Sequence, residues 1–180
     1  MIIFLDRDGV LNRFPGKGRY VTRLSQFKFL PGAKKAVRLL SEAGHELVVI
    51  SNQGCVSRGI LTKKNLKLMT DRMLKDIERF GGKIDKVFYC VHQTSDGCGC
   101  KKPKLGLIRK AVGRRRGVLK KAFFIGDSRE DIETAAGAGC RSILVLSGRS
   151  KKKDTAEFKF KPRWIKKNIL EAAQWIIRNQ

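Results

Sequence analysis

Five short apolar runs recur along the chain: MIIFL (1 to 5), HELVVI (45 to 50), DKVFYC (85 to 90), AFFI (122 to 125) and SILVL (142 to 146). Each is apolar at nearly every position rather than at every second one, which is the pattern of a strand covered on both faces. The segments between them carry helical signals. PGAKKAVRLLSEAG starts at a proline and stops at Gly44. The next helix is expected to begin at Thr62 as N-cap, to carry Leu66, Met69, Met73, Ile77 and Phe80 on one stripe, and to end at Gly81. Further helices are predicted over 105 to 113 and 129 to 138, and RWIKKNILEAAQWIIRN closes the chain as a last helix with Trp164 and Trp175 on its core face. Strands alternating with helices predict an α/β fold, a doubly wound parallel sheet of the Rossmann-like kind. At 180 residues and 42% hydrophobic content the chain suits a single domain, 1 to 180, whose core needs no staple.

In such sheets ligands sit beyond the carboxyl ends of the strands, so the residues just after each apolar run deserve inspection. Asp6 and Asp8 follow the first run, Ser51 and Asn52 the second, a cysteine loop ending in Lys102 the third, and Asp127 the fourth, with Asp131 four residues on. Carboxylates at Asp6, Asp8 and Asp127 can assemble an all-oxygen site for Mg²⁺, which takes one or two carboxylates plus waters and a substrate phosphate. That chemistry fits phosphoryl transfer. With a metal and Lys102 neutralising the repulsion, Asp6 can attack phosphorus and form an aspartyl-phosphate, while Asp8 gives a proton to the leaving oxygen and later takes one from water. Ser51 can donate to a phosphate oxygen. Two plainer readings of DRDGVLN, a calcium loop and an ordinary acidic turn, account less well for the other three strand ends; a calcium loop also wants its glycine at position six, and here it is at position four. AAGAGCRS (135 to 142) follows a helix rather than a strand, so it reads as packing glycines and not a dinucleotide loop.

Three cysteines and a histidine, Cys90, His92, Cys98 and Cys100, fall within eleven residues directly ahead of Lys101 and Lys102. Three thiolates and one imidazole fill a zinc tetrahedron with no open position, which describes a structural Zn²⁺ site, although the spacing by itself leaves free thiols or a reversible disulfide open. Cys55 and Cys140 read as small buried hydrophobes. An odd number of cysteines and an N-terminal stretch without a basic, apolar and small-residue signal pattern point to a cytoplasmic protein with reduced thiols. No window approaches the roughly 18 apolar residues of a membrane span, so membrane insertion is not expected.

The formal net charge of +24 must attract polyanions, and it leaves nucleic acid open as a partner beside a merely solvated basic surface. The positive residues are densest in RKAVGRRRGVLKK, SGRSKKK and FKFKPRWIKK.

At these residues the chain resembles the phosphatases of the haloacid dehalogenase superfamily. FLDRDGVLN is similar to that superfamily's first motif, VVISNQG to its second, the lysine of KKPKLG to its third and FFIGDSREDIETA to its fourth, in the right order from residue 2 to about 148. The resemblance implies Asp6 as nucleophile, Asp8 as acid/base and as metal ligand through its backbone carbonyl, Ser51 and Lys102 as phosphate-binding groups, Asp127 as Mg²⁺ ligand and Asp131 as its support. Only 43 positions separate Asp8 from Ser51, room for a flap, a helix and a strand but not for a cap domain. The Cys-x-His-x5-Cys-x-Cys loop resembles the zinc loop of the heptose 1,7-bisphosphate phosphatases and the related histidinol phosphatases, with SNQGCVSRG and GRYVTRLSQFKFLPG closer to the heptose group. That resemblance implies removal of the C7 phosphate of a phosphorylated sugar, D-glycero-D-manno-heptose 1,7-bisphosphate, on the route to ADP-heptose for lipopolysaccharide, with Asn52, Arg58 and Lys101 at the substrate. The chain departs from the heptose pattern at Val91 and Gln93, at Gly54 to Val56, and at Lys101 and Leu105; Lys101 in place of an arginine keeps the charge and gives up the bidentate fork. A monomer is the expected state. Alternative readings are a polynucleotide 3′-phosphatase, a histidinol-phosphate phosphatase, and a non-catalytic zinc module that binds nucleic acid.

Overall fold

The computed structural model describes residues 1–179. Six strands form one sheet: β1 (Ile2–Leu5), β2 (Glu46–Asn52), β3 (Lys86–Cys90), β4 (Phe123–Gly126), β5 (Arg141–Val145) and β6 (Trp164–Lys166). Their order is β3-β2-β1-β4-β5-β6 and every neighbouring pair is parallel. The helices between them are α1 (Ala33–Glu42), α2 (Lys63–Glu78), α3 (Gly106–Val112), α4 (Arg129–Ala138) and α5 (Ile169–Arg178). The expected doubly wound α/β sheet is therefore present. Among the described residues no helix is long and apolar enough to cross a membrane.

The continuous apolar runs split by parity. Ile3, Leu5, Leu47, Val49, Phe123, Ile125, Ile143 and Val145 face α1, α5 and the Met73 and Ile77 turn of α2. Ile2, Phe4, Val48, Ile50 and Phe124 face α3 and Ala135 of α4. Each buried large apolar side chain contributes roughly 1.5–3 kcal/mol, so the two faces supply most of what holds the fold, with Cys98 and Cys100 of the cysteine loop packed half-buried against the second. Thr62 caps α2 as expected, its hydroxyl accepting from Asn65 N–H at 3.1 Å.

Two expectations fail. Trp164 lies on β6, not on the last helix, which begins at Ile169 with Asn168 capping it. Three residues framed by Arg163 and Lys167 are too short and too polar at their ends to stand out from the helical pattern behind them. The two tryptophans still meet, ring centroids 4.4 Å apart, because β6 lays Trp164 under α5. Phe80 falls beyond the end of α2 and is 42% exposed, with the Lys34 and Arg38 cations over its ring.

Chain order reverses between β1 and β4: β2 and β3 continue to one side of β1, β5 and β6 to the other side of β4. The loops leaving these two adjacent strands part company and open a crevice between them. Between β1 and α1 the described residues hold one 3-10 turn, Leu24–Gln26, and no inserted cap.

Candidate active site and metal centres

The crevice is a cleft of about 310 Å³. Asp6, Asp8, Ser51, Asn52, Lys101, Lys102 and Asp127 all line it, so the strand-end residues singled out from the sequence do converge. The flap contributes Phe14, Pro15, Arg19 and Tyr20 to the opposite wall. Asp6 and Asp127 come within reach of each other because β1 and β4 are hydrogen-bonded neighbours and Asp6 N–H extends the ladder to Ile125 O at 3.0 Å. Gly9 and Gly148 let two loops close over Asp127; a Cβ at either would run into its carboxylate, and Gly9 also needs its φ of 87°.

Lys102 is 5% exposed and lies between two carboxylates. Its Nζ donates to Asp131 Oδ1 at 2.5 Å and sits 3.0 Å from Asp6 Oδ1, off line for a hydrogen bond. Burial alone would lower the ammonium's pKa, but Asp131 and Asp6 together raise it well above its ordinary value. Asp131 accepts further bonds at Oδ2 from the N–H groups of Asp127 and Ser128 and from the Ser128 hydroxyl. Its oxygens are thus committed, and it holds Lys102 and the Asp127 turn in place.

Asn52 acts on the loop as well as lining the cleft. Its Nδ2 donates to Lys102 O at 3.2 Å and its Oδ1 accepts from Lys102 N–H at 3.0 Å, tying the end of β2 to the lysine. Arg58 donates to the Tyr20 hydroxyl at 2.8 Å and lines an adjoining cavity with Tyr20 and Lys101, rather than the main cleft. Lys101 lines both cavities and donates to Thr94 Oγ1 at 3.0 Å.

Several residues of the site were not singled out from the sequence. Arg7, between the two aspartates, is 1% exposed and donates to both Asp8 oxygens, its NH2 lying 2.8 Å from Oδ2. Asn12 and Gln53 donate to the same carboxylate, each at 2.8 Å. Burial would raise the Asp8 pKa, but the Arg7 charge and these hydrogen bonds hold it below the usual carboxylate value. The Arg149 backbone N–H donates to Asp127 Oδ2 at 2.6 Å. Parity was the available signal for Arg7: it continues the Ile3, Leu5 series onto the buried face.

A divalent cation fits this site. Oxygens of Asp6, Asp127 and Asp131 lie within 4.8 Å of one another, and among the described residues buried Asp6 Oδ1 accepts no hydrogen bond. With Asp131 engaged, the carboxylates open to Mg²⁺ are Asp6 and Asp127. Without a cation these acids repel: burial first, offset in part by Lys102, then Asp131 and Asp8, push Asp6 up to about 6, and burial with Asp131 and Asp6 raises Asp127 as well. Between the ordinary aspartate value and 6 the folded state keeps a proton that the unfolded chain has released. Stability of the metal-free protein therefore falls as pH rises through that window, Asp6 alone accounting for on the order of 3 kcal/mol. Thermal melting in chelator from pH 4 to 8 should show wild type losing ground to Asp6→Asn across pH 4 to 6, with Mg²⁺ restoring wild type at pH 8; parallel curves would contradict this origin.

The second cluster is Cys90, His92, Cys98 and Cys100, whose ligand atoms also lie within 4.8 Å of one another. The thiols are free, not bridged. Their sulfurs stand 3.3 to 3.6 Å apart, and His92 Nδ1 is 3.3 Å from Cys100 Sγ and 3.8 Å from Cys90 Sγ. A zinc tetrahedron with about 2.3 Å sulfur bonds has ligand edges of about 3.8 Å, so the cluster is close to the size zinc requires. All four positions belong to side chains, which makes it a closed site. Two residues beyond Cys100 comes Lys102, whose peptide bond to Pro103 is cis.

The HAD-hydrolase-like family model matches residues 99–172. D-glycero-beta-D-manno-heptose-1,7-bisphosphate 7-phosphatase of Neisseria meningitidis is 33% identical over 84% of this chain and 80% of its own length. The Helicobacter pylori protein of the same name is 30% identical over 97% of this chain and 95% of its own. Among solved structures, the D,D-heptose 1,7-bisphosphate phosphatase of B. bronchiseptica, complexed with magnesium and phosphate, superposes with a TM-score of 0.91 at 30% identity over 99% of both chains. With fold, strand-end residues and near-complete alignment in agreement, the chain belongs to the heptose-1,7-bisphosphate phosphatase family of HAD-like hydrolases.

Proposed function

We propose that the chain is a Mg²⁺-dependent phosphomonoester hydrolase that removes the C7 phosphate of D-glycero-D-manno-heptose 1,7-bisphosphate through an aspartyl-phosphate on Asp6. The observation that supports this most is the Asp6, Lys102, Asp131 relay beside Asp127 at the β1/β4 divide, in a chain that aligns almost end to end with proteins named for that reaction. Asp6 and Asp127, with the backbone carbonyl of Asp8, would hold Mg²⁺, and the ion supplies the charge neutralisation that lets a carboxylate approach a phosphate. Lys102 does the same from the other side, and Asp131 keeps it charged and aimed. Ser51 and the loop fixed by Asn52 bind the phosphate oxygens. Asp6 attacks phosphorus, the bond to O7 breaks, and O7 takes a proton from Asp8.

Asp8 rests ionised under its three donors, the form required to accept a proton from water in the second half-reaction. The incoming phosphate is a like charge beside it and favours the protonated form needed in the first half. Water then attacks the aspartyl-phosphate, Asp8 takes its proton, and phosphate leaves. Lys101, which lines the cleft and the adjoining cavity, and Arg58, in the adjoining cavity alone, are proposed to meet the sugar. The cleft is lined by residues of one chain, which supports a monomeric enzyme.

Phosphate release with Mg²⁺ should be measured on heptose 1,7-bisphosphate, histidinol phosphate and a 3′-phosphorylated oligonucleotide. The heptose substrate should lead in kcat/KM by about 100-fold or more, a margin that several lost polar contacts can supply. Preference for either of the others would overturn the substrate assignment.

A further inference from the structure

The amino ends of β4, β5 and β6, on the sheet edge opposite the active cleft, border a cavity of about 360 Å³ that the proposed reaction does not use. Lys120, Arg141, Lys161 and Arg163 line it, with Ser142 and Phe160. These four cations come from three stretches, 97–126, 134–153 and 158–170, that contain no Asp or Glu at all. Among the described residues none of them is in an ion pair, whereas Arg7, Arg38, Arg72, Arg79, Arg115 and Arg149 each have a carboxylate.

Ring faces, not acids, hold the two arginines. The Arg141 guanidinium lies 3.9 Å over Phe123 and that of Arg163 lies 4.8 Å over Trp164. Stacking fixes a guanidinium while leaving N–H groups in its plane for an anion. Arg141 NH2 is engaged by Lys121 O, but among the described residues its buried Nε has no acceptor. Lys161 spends two N–H groups on the carbonyls of Thr155 and Ala156. Ser142 Oγ accepts Arg163 N–H at 3.0 Å, so its own hydroxyl proton remains to be donated. Burial and the facing Arg163 charge hold Arg141 below its ordinary pKa, a strain that a bound anion relieves. Phe160 stands on the rim, 41% exposed.

We propose that this cleft binds single-stranded nucleic acid, the phosphodiester backbone lying along Lys120, Arg141, Lys161 and Arg163 and one base stacked on Phe160. A concave basic groove with an open aromatic face is the arrangement that recognises single strands without sequence preference. Its volume admits about one nucleotide and excludes a duplex. A bilayer surface would ask for a convex or flat face with several exposed apolar groups, and this rim has one.

The test is fluorescence anisotropy of a labelled single-stranded oligonucleotide of about 12 nucleotides, titrated at low salt and again at rising salt. Three full-length proteins are compared: wild type, the pair Lys120→Gln/Arg163→Gln, and a charge-matched pair on another surface, Lys34→Gln/Lys35→Gln. The cleft pair should weaken binding at least 10-fold and flatten the slope of log K against log salt by about 1.4, two contacts at about 0.7 each, while the distant pair changes affinity less than 2-fold. Phe160→Ala should weaken single-strand binding and leave duplex binding as it is. Phosphate release from the heptose substrate should be unaltered in all variants, which separates this inference from the catalytic one. Equal losses in both pairs would mean diffuse attraction by the net charge and would overturn the site. So would absence of binding at low salt, or a cleft pair that loses phosphatidylglycerol vesicles but keeps the oligonucleotide.

Discussion

Replacing Asp6 by asparagine is expected to lower kcat by on the order of 10⁴- to 10⁶-fold, the scale of removing a covalent nucleophile, and to leave the protein folded. The amide matches the carboxylate in shape, so the β1/β4 junction closes as before. It cannot attack phosphorus. In most proteins, deleting one partner of a buried ion pair is costly because the other charge is stranded. Here Lys102 keeps Asp131 at 2.5 Å, and what disappears is the member of the acid group that burial and its neighbours already push up to about 6. The same substitution should therefore leave the melting temperature unchanged or raise it above pH 6, a separation of function from stability that marks a strained site. Steady-state phosphate release and thermal melting on one preparation decide it. Turnover within 10-fold of wild type would remove Asp6 from the chemistry, and a collapsed melting curve would show that the site is not strained.

The positions of these groups were legible because parallel strands in a doubly wound sheet are apolar along their whole length, so their ends are sharp, and functional residues begin where the apolar run stops. Which strands are neighbours was not legible. Alternation of strands and helices does not say that β1 and β4 lie side by side, and the crevice between them depends on that. Polar residues buried by the site were harder to see: strand parity alone marks Arg7 in DRDG, and Gln53 in SNQG looks like a solvated loop residue until the Asp8 carboxylate that it faces is in place. The family resemblance puts Asn52 at the substrate, whereas its two bonds to the Lys102 backbone reach a loop fifty residues away that no local pattern shows. β6 escaped for a different reason. As an edge strand of three residues it buries too little to impose a period, and α5 behind it supplies the stronger pattern.

Stripping zinc from the Cys90, His92, Cys98, Cys100 cluster should lower kcat by about 10- to 100-fold and raise KM, the range seen when groups that orient a catalytic residue are removed. The loss should stay well short of that of Asp6→Asn, because the closed cluster has no position for substrate or water. Without the metal, three thiols and an imidazole have no reason to stay together, and ordering each residue of residues 91–101 costs roughly 1–2 kcal/mol against few buried contacts. The sheet depends little on this loop: both apolar faces are built mainly from strands and helices, with Cys98 and Cys100 adding half-buried contacts to one of them. Lys102 keeps part of its position through Asn52 and Asp131, which limits the fall in kcat, whereas Lys101 and Thr94 lose the wall they form in the cleft, which raises KM. Metal content, kinetics and hydrogen exchange of residues 91–104 before and after chelation test each part. Full turnover in protein shown to be zinc-free would end the positioning role; a loss as deep as that of Asp6→Asn, with the sheet still protected, would mean that zinc takes part in the chemistry itself. The intermediate result is the one expected of a metal that acts only by holding the lysine's loop against the phosphate.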